Sequence, residues 1–263
     1  GTCDALVLGP GLDAQKTDWD ALAQLLENTP AVIDASALEP VCALIKEGKL
    51  RLRAYHILTP HDGELARCLN LFAGTDTDKT TGEIARKLAD KADKPLGKFA
   101  SQTSPALQRR IQGAQQLAAL TGACVLAKGN RTVVVDANSQ VYLLPAATPW
   151  LATAGSGDVL AGLMGGLLAL NVRAGAGCAG TADAQGQGTT VASAAALAPE
   201  IAQLAARLHA LAGQLAAEAT GPKASGASEP KPTDAVVAHP ITAPEIAAAI
   251  PNAWALCSSA AAN

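Results

Sequence analysis

The sequence predicts an α/β layered domain with a mostly parallel central sheet, and three observations carry that prediction. Short apolar runs end abruptly in Gly, Asp, Pro or Lys, segments with helix-start signals stand between them, and one late pair of runs flanks a turn. Apolar runs of this length alternating with helices are the pattern of strands buried on both faces.

The first strand is Ala5 to Leu8, running into Gly9-Pro10-Gly11, and the second is Ala31 to Ile33, running into Asp34. Ser36 and Glu39 have the spacing of a capping box, which predicts a helix through "SALEPVCALIK". His56 to Leu58 is the third strand and gives way to Thr59-Pro60-His61, after which Asp62 suits the cap of a helix starting near Gly63. Cys124 to Ala127 is the fourth and ends in Lys128-Gly129. "RTVVVDA" and "QVYLLP" flank Asn138-Ser139 and predict an antiparallel pair. Val159 to Leu170 reads as a buried helix, Val191 to Ala219 as a long helix or two divided at Pro199, and Thr242 with Glu245 as another capping box. Gly162 and Gly166 each cost roughly 1 kcal/mol inside a helix, so close packing on the sheet is expected at them. Three stretches, 75–106, 173–190 and 221–238, have the polar or Gly/Ala-rich makeup of insertions or tethers.

Composition bounds the function. With 263 residues, 49% of them hydrophobic, and a net charge of -3, the chain suits one globular domain spanning 1–263. The acidic balance and the few aromatics, three Trp, two Tyr and two Phe, offer neither the cationic field nor the stacking platforms of a nucleic-acid binder. The six cysteines stand singly, with no C-x-x-C pair and no His at metal-ligand spacing, which predicts reduced thiols in a cytoplasmic protein without a protein-built metal site. No apolar run approaches the roughly 18 residues that a membrane span needs, so no membrane partner is expected. Met164 is the only methionine, and the opening "GTCDALVLGPGL" already reads as a strand entering a turn, so the chain is expected to be the later part of something longer.

The polar residues are informative by their place. In an open parallel sheet, ligands bind beyond the carboxyl ends of the strands, where loops converge and helix N-termini point inward. Gly9-Pro10-Gly11, Asp34, His61 and Lys128 all fall at such ends, and "ATAGSGDVLAG" arrives there after the hairpin. Gly155 and Gly157 can take positive φ and let a phosphate approach the backbone, while a helix beginning near Asp158 would aim free N–H groups at an anion. The Gly155 to Asp158 quartet matches neither G-x-x-x-x-G-K-[ST] nor G-x-G-x-x-G. Singly, each residue has a plain alternative: Asp158 and Asp34 as helix caps, His61 as a structural histidine, Lys128 as a surface lysine at a turn. Together they suggest a nucleotide-phosphate site with one acid and one lysine.

In chain order, "GPGL" (Gly9 to Leu12), "DASAL" (Asp34 to Leu38), "LTPHDGE" (Leu58 to Glu64), "KGNRTVV" (Lys128 to Val134), "ATAGSGDVLAG" (Ala152 to Gly162) and "HALAG" (His209 to Gly213) resemble the ADP/ATP-dependent NAD(P)H-hydrate dehydratases of the ribokinase-like superfamily. The resemblance implies a three-layer α/β/α fold, with strands that the family has before the equivalent of Gly1 missing here and this chain as the C-terminal part of the dehydratase domain. It implies metabolite repair, in which hydrated NADH or NADPH is dehydrated at the expense of ADP or ATP, with Mg2+. By the same resemblance Asp158 is the catalytic acid at the hydrated ring, Gly9, Gly11 and His61 face the hydrate, and Lys128, Gly129, Asn130, Arg131, Thr132, Gly155, Ser156 and Gly157 line the nucleotide. A homo-oligomer is expected, and many bacterial members are fused to an upstream epimerase domain. The alternatives are a small-alcohol kinase of the same superfamily, of the hydroxymethylpyrimidine, hydroxyethylthiazole or pyridoxal type, and an inactive nucleotide-binding fragment. Three positions depart from the family's usual pattern: Asp13 after "GPGL", Ser36 in "DASAL", and Thr148 in "ATPW" where the family has G-N-P.

Overall fold

The computed structural model describes residues 3–73, 103–178, 188–219 and 239–261. Four parallel strands lie side by side in chain order: β1 (Leu6–Leu8), β2 (Ala31–Ile33), β3 (Ile57–Leu58) and β4 (Cys124–Ala127). The sheet then continues antiparallel through β5 (Arg131–Val135) and β6 (Val141–Ala146), the expected hairpin. At its turn Ser139 takes φ 65°, and Asp136 Oδ1 accepts the N–H groups of Asn138 and Gln140 at 2.8 and 2.9 Å.

Alternation along the strands divides the core. Leu8, Ile33, Leu58, Val125, Val133 and Val135 point to one face, where they meet α1 (Trp19–Leu26), α2 (Leu38–Lys46), α3 (Asp62–Ala73) and α4 (Pro105–Thr121). Val32, Ile57, Cys124, Leu126 and Val134 point to the other, under α5 (Ser156–Cys178) and α6 (Gly188–Glu218), while α7 (Ala243–Ala261) packs on the far half of α6. Strands apolar on both faces are thus sandwiched between helices, as the unbroken apolar runs required. This is a three-layer α/β/α arrangement.

Local chemistry sets the helix ends. Asp18 accepts the Ala21 N–H at 3.0 Å to start α1, and Ser104 followed by Pro105 starts α4, which stops at Gly122 with φ 72°. At α7 the expected capping-box pair is present, Glu245 accepting the Thr242 N–H at 2.7 Å.

Several expectations are corrected. Ser36 and Glu39 form no capping box, because the chain enters α2 through a tight 3-10 turn, Ala35–Ala37, with Ala35 at φ 46°. Ser36 lies inside that turn, and its hydroxyl bridges the Gly9 and Leu12 carbonyls at 2.7 and 2.8 Å. Pro199 does not divide α6: its fixed φ suits a helix, and the buried Ala198, Ile201, Ala202 and Ala205 around it offset the one lost N–H bond. In α5 Gly162 and Gly166 face open space, and the close approach occurs at Gly165, where a Cβ would overlap the Val7 side chain of β1. Nor is the apolar run of α5 short: Ser156–Ala174 spans 19 residues at mean hydropathy 1.2, long and apolar enough by composition to cross a membrane. Here Leu160, Ala161, Met164 and Leu168 of that helix are buried against the sheet.

Of the three insertion-like stretches, Pro105 and Ala106 begin α4, while 173–178 and 188–190 are helical backbone of α5 and α6. Residues 75–102, 179–187 and 221–238 lie outside the described residues.

Candidate functional site

The carboxyl edge of the sheet gathers the polar groups, and each arrives there because its strand stops. After β1 the chain turns at Gly9 and Gly11, with φ 121° and 69°. Gly9 passes so close to β2 that any Cβ would overlap the Asp34 carbonyl oxygen, so glycine is obligatory on two counts. After β2 comes Asp34, whose side chain is only 2% exposed. After β3 come Thr59, Pro60 and His61, and after β4 comes Lys128, its N–H donating to the Pro60 carbonyl at 2.8 Å.

These residues meet. Lys128 Nζ donates to Asp34 Oδ1 at 2.6 Å, the Thr59 hydroxyl donates to the same oxygen at 2.8 Å, and Glu64 Oε2 lies 3.8 Å from the ammonium. Lys128 therefore does not extend outward as a loose turn lysine: it is turned in toward two carboxylates. From above, the first turn of α5 closes over the pair, with the Gly157 Cβ position 3.5 Å from Lys128 Nζ and 3.8 Å from Asp34 Oδ2. A Cβ at Gly157 would rest on the pair at ordinary van der Waals distance, so the first turn of α5 lies directly over it. The expectation of positive φ holds at Gly155 (81°) but not at Gly157, which is already helical because α5 starts at Ser156.

His61 and Glu64 form a reciprocal cap for α3. His61 Nδ1 accepts the N–H groups of Gly63 and Glu64 at 3.0 and 3.3 Å, and Glu64 Oε2 accepts the His61 N–H at 2.8 Å. With Nδ1 accepting, the ring proton belongs on Nε2, 3.5 Å from Glu64 Oε1. Asp62, the expected cap, instead pairs with Arg110.

Asp158 stands apart in character. It is exposed on the first turn of α5, and no hydrogen bond or ion pair engages it among the described residues. A carboxylate there is favoured by the free amides and dipole of the helix start and remains available to a ligand. Next to it Ser156 is buried, its hydroxyl 3.2 Å from His209 Nε2 on α6. Burial holds His209 down to about 4, so the imidazole is neutral near pH 7. Gly129, Asn130 and Arg131 are exposed on the β4–β5 turn and Thr132 half-buried, with the Asn130 carbonyl accepting from Ala147 at 3.0 Å.

The structure thus brings Gly9, Asp34, Thr59, Glu64, Lys128 and Gly157 into one cluster, with His61 tied to it through Glu64. Glu64, Thr59 and His209 stand in the motifs "LTPHDGE" and "HALAG", but the sequence assigns them no role in the site. The spacing of Glu64 three residues after His61 was a readable signal for its contact; that of His209 with Ser156, across 53 residues, had none beyond the motif.

Among the described residues no group of three or more His, Cys, Asp or Glu is placed to hold a metal ion. Asp34 and Glu64 are turned to Lys128, leaving Asp158 uncommitted. That donor set fits Mg2+ carried by nucleotide phosphates rather than an ion caged by protein.

Similar sequences include the bifunctional NAD(P)H-hydrate repair enzyme Nnr of Mycobacterium leprae, 36% identical over 175 residues that cover 66% of this chain and 30% of that protein. The ADP-dependent (S)-NAD(P)H-hydrate dehydratase of Neisseria meningitidis serogroup B is 34% identical over 173 residues, covering 64% and 48%. The chain thus spans less than half the length of these relatives. Among solved structures, the ADP/ATP-dependent NAD(P)H-hydrate dehydratase of Bacillus subtilis, co-crystallised with ATP/Mg2+, matches with a TM-score of 0.54 at 23% identity, covering 96% of this chain and 64% of that one. At that identity the likeness is one of fold, in keeping with the three-layer α/β/α arrangement. The family model described as NAD(P)H-hydrate dehydratase matches residues 1–225, and the chain belongs to that family.

Proposed function

We propose that the full protein dehydrates NADH hydrate or NADPH hydrate, consuming ADP or ATP, and that this chain supplies the acid and the nucleotide-facing edge of its site. The observation that carries the reading is Asp158: an uncommitted carboxylate on the first turn of α5, above the Lys128–Asp34 pair, in a member of this family.

In this reading the nucleotide lies along Lys128 to Thr132 and the Gly155–Ser156–Gly157 start of α5, and the hydrate lies toward Gly9, Gly11 and His61. Asp158 takes the proton from the ring hydroxyl as that oxygen attacks the terminal phosphorus of the nucleotide. The bond from that phosphorus to the bridging oxygen breaks, leaving AMP from ADP, or ADP from ATP. The phosphorylated oxygen then departs as inorganic phosphate with the electrons of its C–O bond, and loss of the neighbouring ring proton restores the dihydronicotinamide double bond. The α5 amides and the Lys128 ammonium stabilise charge on the transferred group, their positions set beforehand by Asp34, Thr59 and Ser156. Mg2+, when bound with the nucleotide, neutralises its phosphates. The unpaired thiols of Cys42, Cys68 and Cys124, all buried, support a cytoplasmic setting.

The test is restoration of reduced-nicotinamide absorbance by the full-length protein given NADH hydrate, Mg2+ and ADP or ATP. Absence of restoration with both nucleotides overturns the reading, and phosphorylation of a vitamin-precursor alcohol instead moves the protein to the kinase class. Asp158→Asn is expected to abolish turnover while nucleotide affinity stays nearly unchanged; retained turnover removes Asp158 from its role.

A further inference from the structure

Midway along the first half of α4, Arg110 ties together two segments that the site needs and that otherwise meet only at Lys128, whose N–H bonds the Pro60 carbonyl and whose ammonium lies 3.8 Å from Glu64 Oε2. Its Nε and Nη2 donate to the two carboxylate oxygens of Asp62, both at 2.6 Å, and its Nη1 donates to the Arg131 carbonyl at 2.9 Å. Asp62 is the residue directly after His61, and Arg131 opens β5 at the end of the Lys128–Thr132 turn. Between those two anchors Gly129 stands so close to the guanidinium that any Cβ there would overlap it. The Arg110 side chain is 12% exposed, with three of its five donors engaged, and its hydrogen bonds hold the Asp62 carboxyl below the usual carboxylate range.

From this geometry we infer that Arg110 is a positioning residue: through Asp62 and the Arg131 carbonyl it fixes the nucleotide-facing turn relative to the hydrate-facing end of α3. The inference rests on the reading that residues 128–132 bind nucleotide. Arg110 itself need not touch substrate, since its fork is spent on protein. A planar fork is required because one group must satisfy a bidentate carboxylate and a carbonyl at once while passing a glycine face; an ammonium offers a point charge and cannot span them. The same fork gives Gly129 a reason independent of any ligand: it is the gap that admits the guanidinium.

The experiment uses the full-length protein with Arg110→Gln, Arg110→Lys, Asp62→Asn and the double variant Arg110→Gln with Asp62→Asn, each at a temperature where circular dichroism shows it folded. KM for the nucleotide is expected to rise by about tenfold in each, from displacement of the turn, with kcat within about twofold of wild type. Lysine should not rescue, and the double variant should equal the Arg110→Gln single variant, because both changes remove one linkage. A purely structural brace would lower the melting temperature and leave KM unchanged in the folded protein; that result overturns the inference, as does full rescue by lysine. Calorimetric titration with ADP and ATP separates this from failure of the activity. Wild type that binds nucleotide without turning over hydrate loses the reaction but still decides Arg110 by its affinity, whereas wild type that binds neither nucleotide overturns both.

Discussion

Lys128 Nζ lies 2.6 Å from Asp34 Oδ1 although 94 residues separate the two in the chain. The contact joins the ends of β2 and β4, which have β3 between them. Asp34 is 2% exposed, and the ammonium and the Thr59 hydroxyl stabilise its charge in place of bulk solvent. Lys128→Met, which strands that carboxylate, is therefore expected to destabilise the protein by about 3–5 kcal/mol. Lys128→Met combined with Asp34→Asn should cost clearly less. Urea unfolding of both variants checks the order, and equal losses would show that the pair carries no coupling.

The glycines of α5 separate sharply by position. Gly165→Ala sets a methyl into the Val7 side chain and is expected to destabilise by about 1–3 kcal/mol. Gly162→Ala and Gly166→Ala enter open space on an exposed helix face and should stabilise by up to about 1 kcal/mol each. Thermal unfolding of the three single variants distinguishes them by sign.

Acid sensitivity follows from two buried histidines. Burial holds both His56 and His209 down to about 4 from the ordinary 6.5. The unfolded chain therefore takes up protons that the folded one refuses between those values. Their stabilisation is intact above about pH 6.5 and is lost progressively as pH falls toward 4. Each contributes a slope of up to about 1.4 kcal/mol per pH unit in that window. His209→Gln, which keeps a polar group beside Ser156 without the titration, should make the stability curve shallower over that range; an unchanged curve would assign the slope elsewhere.

The cap on α3 is a histidine with a glutamate three residues on. His61→Asn keeps a side-chain acceptor for the Gly63 and Glu64 amides and should unfold close to wild type, whereas His61→Ala should cost about 1 kcal/mol. Chemical denaturation compares them. If alanine is neutral, the ring is there for another purpose than capping.

How far the molecule could be read beforehand follows from the range of the forces involved. The strands were legible because each is a short apolar run buried on both faces, and the edge on which ligands gather follows from where those runs stop. Residues whose role depends on a partner far away in sequence were not legible. Ser36 looked like a cap by local spacing, yet the Gly9 and Leu12 carbonyls, more than twenty residues earlier, claim its hydroxyl. Gly162 and Gly166 drew attention by their four-residue interval, whereas the glycine that matters is the one facing Val7, which only the docking of helix on sheet decides. The break expected at Pro199 weighed a local hydrogen bond against nothing, because burial along the helix was still unknown.

The order of the sheet has a consequence for how the protein is made. From β2 to β6 each described strand pairs with the one synthesised just before it, so these strands can assemble as the chain leaves the ribosome. The covering of its second face cannot: Val32, Ile57, Cys124, Leu126 and Val134 wait for α5 and α6, both translated after the six described strands. Until then a nascent chain carries a greasy plane and an uncovered Lys128–Asp34 pair side by side. The start of α5 covers the pair and its next turns begin to cover the plane, which α6 completes, so one helix links the end of the newborn chain's stickiness to the closing of its polar edge.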